Sequence, residues 1–261
     1  MFIDTHCHFN FPDFTTNLIE SINYVRQANI VGLIVPAVSA SHFTQILQLA
    51  TNYSEIYAAL GLHPIYQHTE ADLQQLTSIL EKKPNKLVAI GEIGLDKYDV
   101  TIDWHQQISF FRAQLALAKR FDLPVLIHSR KAHDIMYHEL HQANLPCRGV
   151  IHGFSGSYQQ AMQFIKLGYY IGVGGVISYD RANKTRNTIA QLPLASLVLE
   201  TDAPDMPLSG QQGEINRPEN IVKIFNIFSQ LRNEPSSQIL NVILTNTLTL
   251  FSRINRIKIL K

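Results

Sequence analysis

Apolar residues fall along this chain in two alternating rhythms. Short continuous runs occupy Phe2 to Thr5, Val31 to Val35, Ile56 to Leu60, Leu87 to Gly91, Val125 to Ile127, Gly149 to Ile151, Tyr169 to Val173 and Leu197 to Glu200, and they read as strands. Between them lie stretches with helical spacing. In Trp104 to Phe121, Ile108, Phe111, Leu115 and Ala118 recur at intervals of three and four, which predicts one amphipathic helix. Thr69, followed by Asp72 three residues on and then by Leu73 and Leu76, has the form of a capping box and predicts a helix start.

Strand and helix alternate eight times over 261 residues. This is the usual content of a (β/α)8 TIM barrel, an α/β fold whose active site lies at the C-terminal ends of its strands. We therefore expect one barrel domain over residues 1–261, with Asp205 to Arg217 as a long loop at the mouth. Extra C-terminal helices are expected at Pro218 to Leu231 and Ser236 to Phe251. A doubly wound open sheet is the main competitor. It would set its edge strands too far apart to share a site, and no Gly-x-Gly-x-x-Gly fingerprint follows an early strand.

A formal net charge of +1 gives no bulk attraction to polyanions, although a local basic patch remains open. Cys7 and Cys147 are too few for a disulfide framework and fit a reducing compartment. No apolar run reaches the roughly 18 residues that span a bilayer. The first strand follows Met1 at once and leaves no room for a signal peptide. The expectation is a cytoplasmic monomer with no membrane contact and no obligate protein partner.

The candidate chemistry lies where ionisable residues end the apolar runs. Alternation along a strand puts His6 and His8 on one face and Cys7 on the other, with Asp4 on the histidine face and able to orient a ligand from behind. Glu92, His128, His152 and Asp202 each close a later run. An unpartnered charge there would cost several kcal/mol or more, and a shared metal centre would relieve that cost. Histidines mixed with carboxylates suit Zn²⁺, Mn²⁺ or Co²⁺ better than Ca²⁺. Six ligands are too many for one structural zinc and the right number for two ions sharing a bridging carboxylate. Such a pair, about 3.5–4 Å apart, activates water and neutralises charge on attacking and leaving oxygens, which is hydrolytic chemistry.

Several residues keep two readings. Asp202 is either a ligand alone or a ligand that also serves as the general base. His63 either hydrogen-bonds a substrate phosphate without reaching the metals or stabilises the Gly61-Leu62-His63-Pro64 turn. Arg130 either grips phosphate with its planar fork or forms a surface ion pair. His42, His68, His105, His133, His138 and His141 read as solvated surface residues, and Cys7 as a small core residue. Arg256, Lys258 and Lys261 read as a solvated tail rather than a nucleic-acid contact.

Met1-Phe2-Ile3-Asp4-Thr5-His6-Cys7-His8, Gly61-Leu62-His63-Pro64, Gly91-Glu92-Ile93-Gly94-Leu95-Asp96, Ile127-His128-Ser129-Arg130, His152-Gly153-Phe154-Ser155-Gly156 and Glu200-Thr201-Asp202-Ala203-Pro204 resemble, in order, the signature blocks of the TatD family of metal-dependent deoxyribonucleases. The resemblance implies a barrel of the amidohydrolase superfamily. It also implies that His6, His8 and Asp202 bind one divalent ion, that His128 and His152 bind a second, and that Glu92 bridges them. The ions would be Mg²⁺, Mn²⁺ or Zn²⁺, the substrate DNA, and the activity a 3′ to 5′ exonuclease preferring single strands. Lys97 stands where many members carry an aromatic, and Asp205-Met206-Pro207-Leu208 replaces a Ser-Pro type loop. Both departures flank the pocket and bear on substrate preference.

Residues alone argue less sharply for DNA. The loops carry Lys97, Arg130, Lys131, Arg181, Lys184, Arg186 and Arg217 among Tyr66, Tyr98, Phe154, Tyr158 and Tyr179, a mixture suited to single strands. They also carry Asp96, Asp99, Asp134, Asp180, Asp205, Glu214 and Glu219, so no clean basic excess results. The alternative is an amide, ester or lactone hydrolase acting on a small molecule. Related amidases resemble one another in a carboxylated lysine bridge, where this chain offers Glu92. A catalytically idle metal-binding barrel would be expected to lack a ligand, and all six are present.

Overall fold

In a computed structural model the eight apolar runs become eight parallel strands in the order β1 to β8. They are β1 (Phe2–Asp4), β2 (Ile30–Pro36), β3 (Ile56–Leu60), β4 (Leu87–Asp96), β5 (Val125–Arg130), β6 (Gly149–Ile151), β7 (Tyr170–Val173) and β8 (Leu197–Leu199). The structure describes residues 1–99 and 101–254, so the basic residues Arg256, Lys258 and Lys261 lie outside the described part. Helices fill the intervals: α1 (Pro12–Thr15) and α2 (Leu18–Gln27), α3 (Phe43–Asn52), α4 (Glu70–Glu81), α5 (Trp104–Phe121), α6 (His133–Ala143), α7 (Tyr158–Lys166), and α8 (Asn183–Gln191). After β8 come the long mouth loop, α9 (Ile221–Gln230) and α10 (Ser236–Leu250).

The ring is drawn together where the chain leaving β1 meets the end of β8. The Thr5 amide and hydroxyl both donate to the Leu199 carbonyl, at 3.0 and 2.9 Å. Two residues past Leu199, the Thr201 amide and hydroxyl donate to the Asp4 carboxylate at 3.0 and 2.6 Å. Asp4 therefore braces the backbone of the seam, and its 3.1 Å bond from the His6 amide does the same. It touches no histidine ring through these bonds.

Alternation sorts the strand side chains into two layers. Leu33, Val35, Ile90 and Ile127 pack outward against Phe111, Leu115, Phe164 and Phe228 of the helices. Ile34, Val88, Leu126, Val150 and Val198 point inward and meet Leu248, Phe251 and Ile254, so the end of α10 and the residues just after it plug the barrel. Burying Phe251 completely contributes on the order of 2–3 kcal/mol. Arg253 fixes the plug by donating to the Phe121 carbonyl at 3.0 Å.

The predicted barrel and its C-terminal helices are present, and α5 and α10 begin at the predicted residues. At the start of α4, the Thr69 amide donates to the Asp72 carboxylate at 2.7 Å, closing the capping box read from the sequence. Two expectations need correction. The fourth strand does not stop at Gly91 but continues to Asp96, because β5 keeps pairing with it from Ile93 to Asp96. The surface reading fails for His68, which is buried with Nε2 donating to the His63 carbonyl at 2.8 Å. His68 belongs to the loop before α4, and its ring packs against Phe110 of α5, with centroids 5.8 Å apart, while Gln106 Nε2 donates to its carbonyl at 3.3 Å. His42 and His133 are half-buried, and His105, His138 and His141 are exposed as expected.

Candidate metal centre

The strand C-termini deliver their ionisable side chains to one point, and Glu92 stands at its middle. β4 is irregular between Ile90 and Ile93, where its pairing with β5 shifts. Gly91 and Gly94 flank the irregularity. A Cβ on Gly94, whose φ is 154°, would fall 1.9 Å from the His128 carbonyl oxygen, so glycine is required for β4 to approach β5 here. The glycines thus serve strand contact, and Glu92 itself lies within β4, not beyond it.

The two carboxylate oxygens of Glu92 face different partners. Oε2 lies 3.1 Å from His6 Nε2 and 3.5 Å from His8 Nε2. Asp202 Oδ1 closes that side, 3.6 and 3.8 Å from the same two nitrogens. Oε1 faces His152 Nε2 at 2.8 Å, His128 Nδ1 at 3.1 Å and His63 Nε2 at 3.2 Å. β1 ends at Asp4, so the common direction of His6 and His8 comes from the turn after the strand rather than from strand alternation. Cys7 between them is buried in the outer core, as expected.

The donor set fits divalent ions. The groups His6–His8–Glu92, His6–His152–Asp202 and His63–Glu92–His128 each bring ligand atoms within 4.8 Å of one another. Imidazole and carboxylate donors of this kind suit Zn²⁺ or Mn²⁺. Hydrogen bonds then assign which ring nitrogen carries the proton. His8 Nδ1 donates to the Pro36 carbonyl at 3.3 Å, leaving Nε2 as a lone-pair donor toward Glu92. His128 Nε2 donates to Asp96 at 2.9 Å, leaving Nδ1 free. His63 is the reverse. Its Nδ1 accepts the Ile65 amide at 3.3 Å, so in the neutral ring Nε2 carries the hydrogen and acts as a donor, not a metal ligand.

Electrostatics follow from burial and from this ring of groups. Burial alone would raise the Glu92 carboxyl, but His63, His152 and His6 outweigh it and hold it well below its usual range. Burial pushes Asp202 up to about 8, with Glu92 and Glu200 adding to the effect. His152 would be lowered by burial, yet Glu92 and Asp202 raise it to about 10. His6 and His8 go the other way, lowered chiefly by burial. His63 is also lowered by burial, which favours the neutral donor form.

Two carboxylates escaped the sequence reading. Asp96 orients His128, and it is held down at about 2 because His128 and the Tyr98 and Asp99 amides outweigh its burial. Glu200 is fully buried; it accepts the Gly153 amide, and its Oε1 lies 3.8 Å from His152 Nδ1. It fills space that β7 leaves open, since a Cβ on Gly172 would fall 2.4 Å from the Glu200 carboxylate. The available signal was a carboxylate directly continuing an apolar run, Leu197-Val198-Leu199-Glu200.

Above the centre opens a cavity of about 630 Å³. Its rim carries Tyr66, Tyr98, Arg130, Lys131, Asp205 and Met206. The Arg130 guanidinium lies 3.8 Å and Lys131 Nζ 4.7 Å from the centroid of the Tyr98 ring. The structure therefore places Arg130 at the mouth, stacked on an aromatic ring, and His63 deep in the centre against Glu92.

Residues 3–252 match the TatD related DNase family. An Escherichia coli protein described as the uncharacterized metal-dependent hydrolase YjjV is 52% identical over 253 residues, covering 96% of this chain and 98% of that one. Its crystal structure superimposes with a TM-score of 0.94. Human deoxyribonuclease TATDN3 is 30% identical and covers 98% of this chain and 96% of its own length. A TatD family hydrolase from Entamoeba histolytica, 22% identical over 96% of this chain and 97% of its own, shares the fold with a TM-score of 0.85. With its barrel, its histidine and carboxylate centre and a match over nearly its whole length, the chain belongs to the TatD-related DNase family of metal-dependent hydrolases.

Proposed function

We propose that the chain hydrolyses DNA phosphodiesters from the 3′ end of a single strand, with two divalent ions bridged by Glu92. The observation that carries this reading is the division of labour at Glu92: Oε2 faces His6 and His8 with Asp202 closing that side, and Oε1 faces His128 and His152. Mg²⁺, Mn²⁺ or Zn²⁺, when bound, supplies Lewis-acid polarisation and charge neutralisation for the displacement.

The remaining work falls to the chain. Asp202, 17% exposed in its side chain, accepts the proton of the attacking water at its carboxylate. His63 donates its Nε2 hydrogen to a non-bridging phosphate oxygen. Arg130, held over Tyr98, grips a neighbouring phosphate with its fork. Tyr66, 43% exposed on the same rim, offers a face on which a base can stack. The DNA assignment draws support from the deoxyribonuclease relative in human and from this cation-bearing rim. No helix among the described residues is long and apolar enough to cross a membrane. Cys7 and Cys147 are free thiols, and we assign the enzyme to the cytoplasm as a monomer.

The test is degradation of single-stranded DNA labelled at its 3′ or its 5′ end, by metal-stripped protein with Mg²⁺, Mn²⁺ or Zn²⁺ restored. Prompt release of 3′-terminal nucleotides is expected. Metal-dependent cleavage of small esters, amides or lactones without cleavage of DNA would overturn the substrate assignment and leave the hydrolase.

A further inference from the structure

α5 carries an apolar stripe that packs on the barrel, and two glutamines interrupt it. Gln107 and Gln114 fall in phase with Phe111, Leu115 and Ala118, and both are buried, 3% and 1% exposed. Their separation is seven residues, close to two helical turns, so both point the same way. A primary amide on a buried stripe costs free energy unless its donors and acceptor are matched. Here both are matched, by backbone.

Gln107 Oε1 accepts the Asp96 amide at 2.9 Å while its Nε2 donates to the Asp96 carbonyl at 3.1 Å. Gln114 repeats the arrangement one strand away, with Oε1 accepting the Leu62 amide at 2.7 Å and Nε2 donating to the Leu62 carbonyl at 3.2 Å. The remaining Nε2 hydrogens go to Ile102 and Phe110 carbonyls at 3.3 and 3.2 Å. Each side-chain amide thus meets a residue as the peptide group of a neighbouring strand would.

The sheet explains why surrogates are needed. β3 and β4 stop pairing after Leu60 and Ile90. β4 continues to Asp96 with β5 on one side only, where the Lys97 amide reaches the Arg130 carbonyl at 2.9 Å. The opposite edge of β4, and the chain leaving β3, would otherwise hold buried N–H and C=O groups with no ladder to join. Both clamped residues adjoin the metal centre. Leu62 precedes His63, whose Nε2 lies 3.2 Å from Glu92. Asp96 holds His128 by its 2.9 Å bond.

We propose that Gln107 and Gln114 are positioning residues for the metal centre: acting as substitute strand, they fix the backbones that carry His63 and Asp96, and through Asp96 the ring of His128, on the Oε1 side of Glu92. Neither amide touches a ring of the centre, so both act through the peptide they clamp. The inference rests on the metal-binding reading of the centre and is independent of the choice of DNA.

Co²⁺ provides the test, through its binding affinity and its visible absorption, which reports ligand geometry. Gln107→Met and Gln114→Met keep the length and lose the amide. Val88→Ala, in the inner barrel core, serves as a control for lost stability. Gln107→Met, which releases the Asp96 that holds His128, is expected to weaken Co²⁺ binding roughly tenfold, as for other groups that orient ligands; Gln114→Met, which acts through His63 on Glu92, should weaken it less, and both should change the absorption spectrum. The control should lower Tm and leave both properties alone. Clamp variants with unaltered Co²⁺ affinity and spectrum, and only a lowered Tm, would overturn the proposal. Amide hydrogen exchange on the unaltered protein tests the clamps themselves even where the variants fail to fold. The Leu62 and Asp96 amides should exchange as slowly as ladder amides of β4, and loop-like exchange would remove the clamps. Failure of the unaltered protein to bind Co²⁺ would instead remove the metal-binding reading itself.

Discussion

The two sides of Glu92 are built differently. On the Oε2 side, His6 and His8 come from a single turn after β1, and their bracing is backbone: Asp4 takes the His6 amide and the Pro36 carbonyl takes His8 Nδ1. On the Oε1 side, His128 and His152 come from the ends of separate strands; Asp96 is hydrogen-bonded to His128 at 2.9 Å, and Glu200 lies 3.8 Å from His152, beyond hydrogen-bond reach. The sides meet where the His6 and His152 rings stack, with centroids 3.8 Å apart. A ligand histidine backed by a carboxylate is a better electron donor than one backed by a carbonyl. On the Oε1 side a carboxylate thus bonds a ring of the centre directly, Asp96 on His128, whereas on the Oε2 side the Asp4 carboxylate holds only backbone, at the seam that closes the barrel.

Glu92→Ala should do most to erase the distinction, since both sides depend on the one carboxylate. Hydrolysis is expected to fall at least about a thousandfold, the scale of several kcal/mol of lost charge stabilisation, with a circular dichroism spectrum like that of the parent protein. Near-normal turnover would separate Glu92 from the chemistry.

Acidification comes next. Without metal, Asp202 titrates at about 8 and His152 at about 10, so at pH 7 both hold the proton that a ligand must lose. Metal and proton compete, and loading weakens as pH falls: about tenfold per unit between 8 and 10, and more steeply below 8 as Asp202 joins. Calorimetry in buffers of different ionisation enthalpy should count about two protons released on loading at pH 7; no release would contradict the assigned shifts.

Asp96→Asn sharpens the comparison from one side. It should weaken the ion on the Oε1 side by about 10- to 100-fold and leave the ion beside His6 and His8 nearly unchanged. Equal weakening of both ions, measured by titration with Mn²⁺, would show the sides to be one unit. The smallest effect is expected from Arg130→Ala at the rim, a KM for DNA raised severalfold with kcat little altered and a shallower salt dependence.

Much of this was legible in the sequence because it is local. His6 and His8 stand two residues apart, the strands are short apolar runs, and α5 shows its period directly. Glu92, His128, His152 and Asp202 were visible as charges ending such runs. What stayed hidden depends on partners far along the chain. Asp96 counted among loop acids until β4 ran past Glu92 and brought it to His128. His68 passed for a surface histidine because nothing near it in sequence marks the fold-back onto His63. Gln107 and Gln114 broke an apolar stripe without explanation, since the unpaired edges they serve exist only once β3 and β4 diverge.

The central claim is that one glutamate joins two ions, and electron paramagnetic resonance of the Mn²⁺-loaded protein tests it most directly. Two equivalents of Mn²⁺ per chain should give an exchange-coupled spectrum, and Glu92→Ala should lose the coupling. Two equivalents giving only the six-line signal of isolated ions, or a single equivalent at saturation, would contradict the bridged centre.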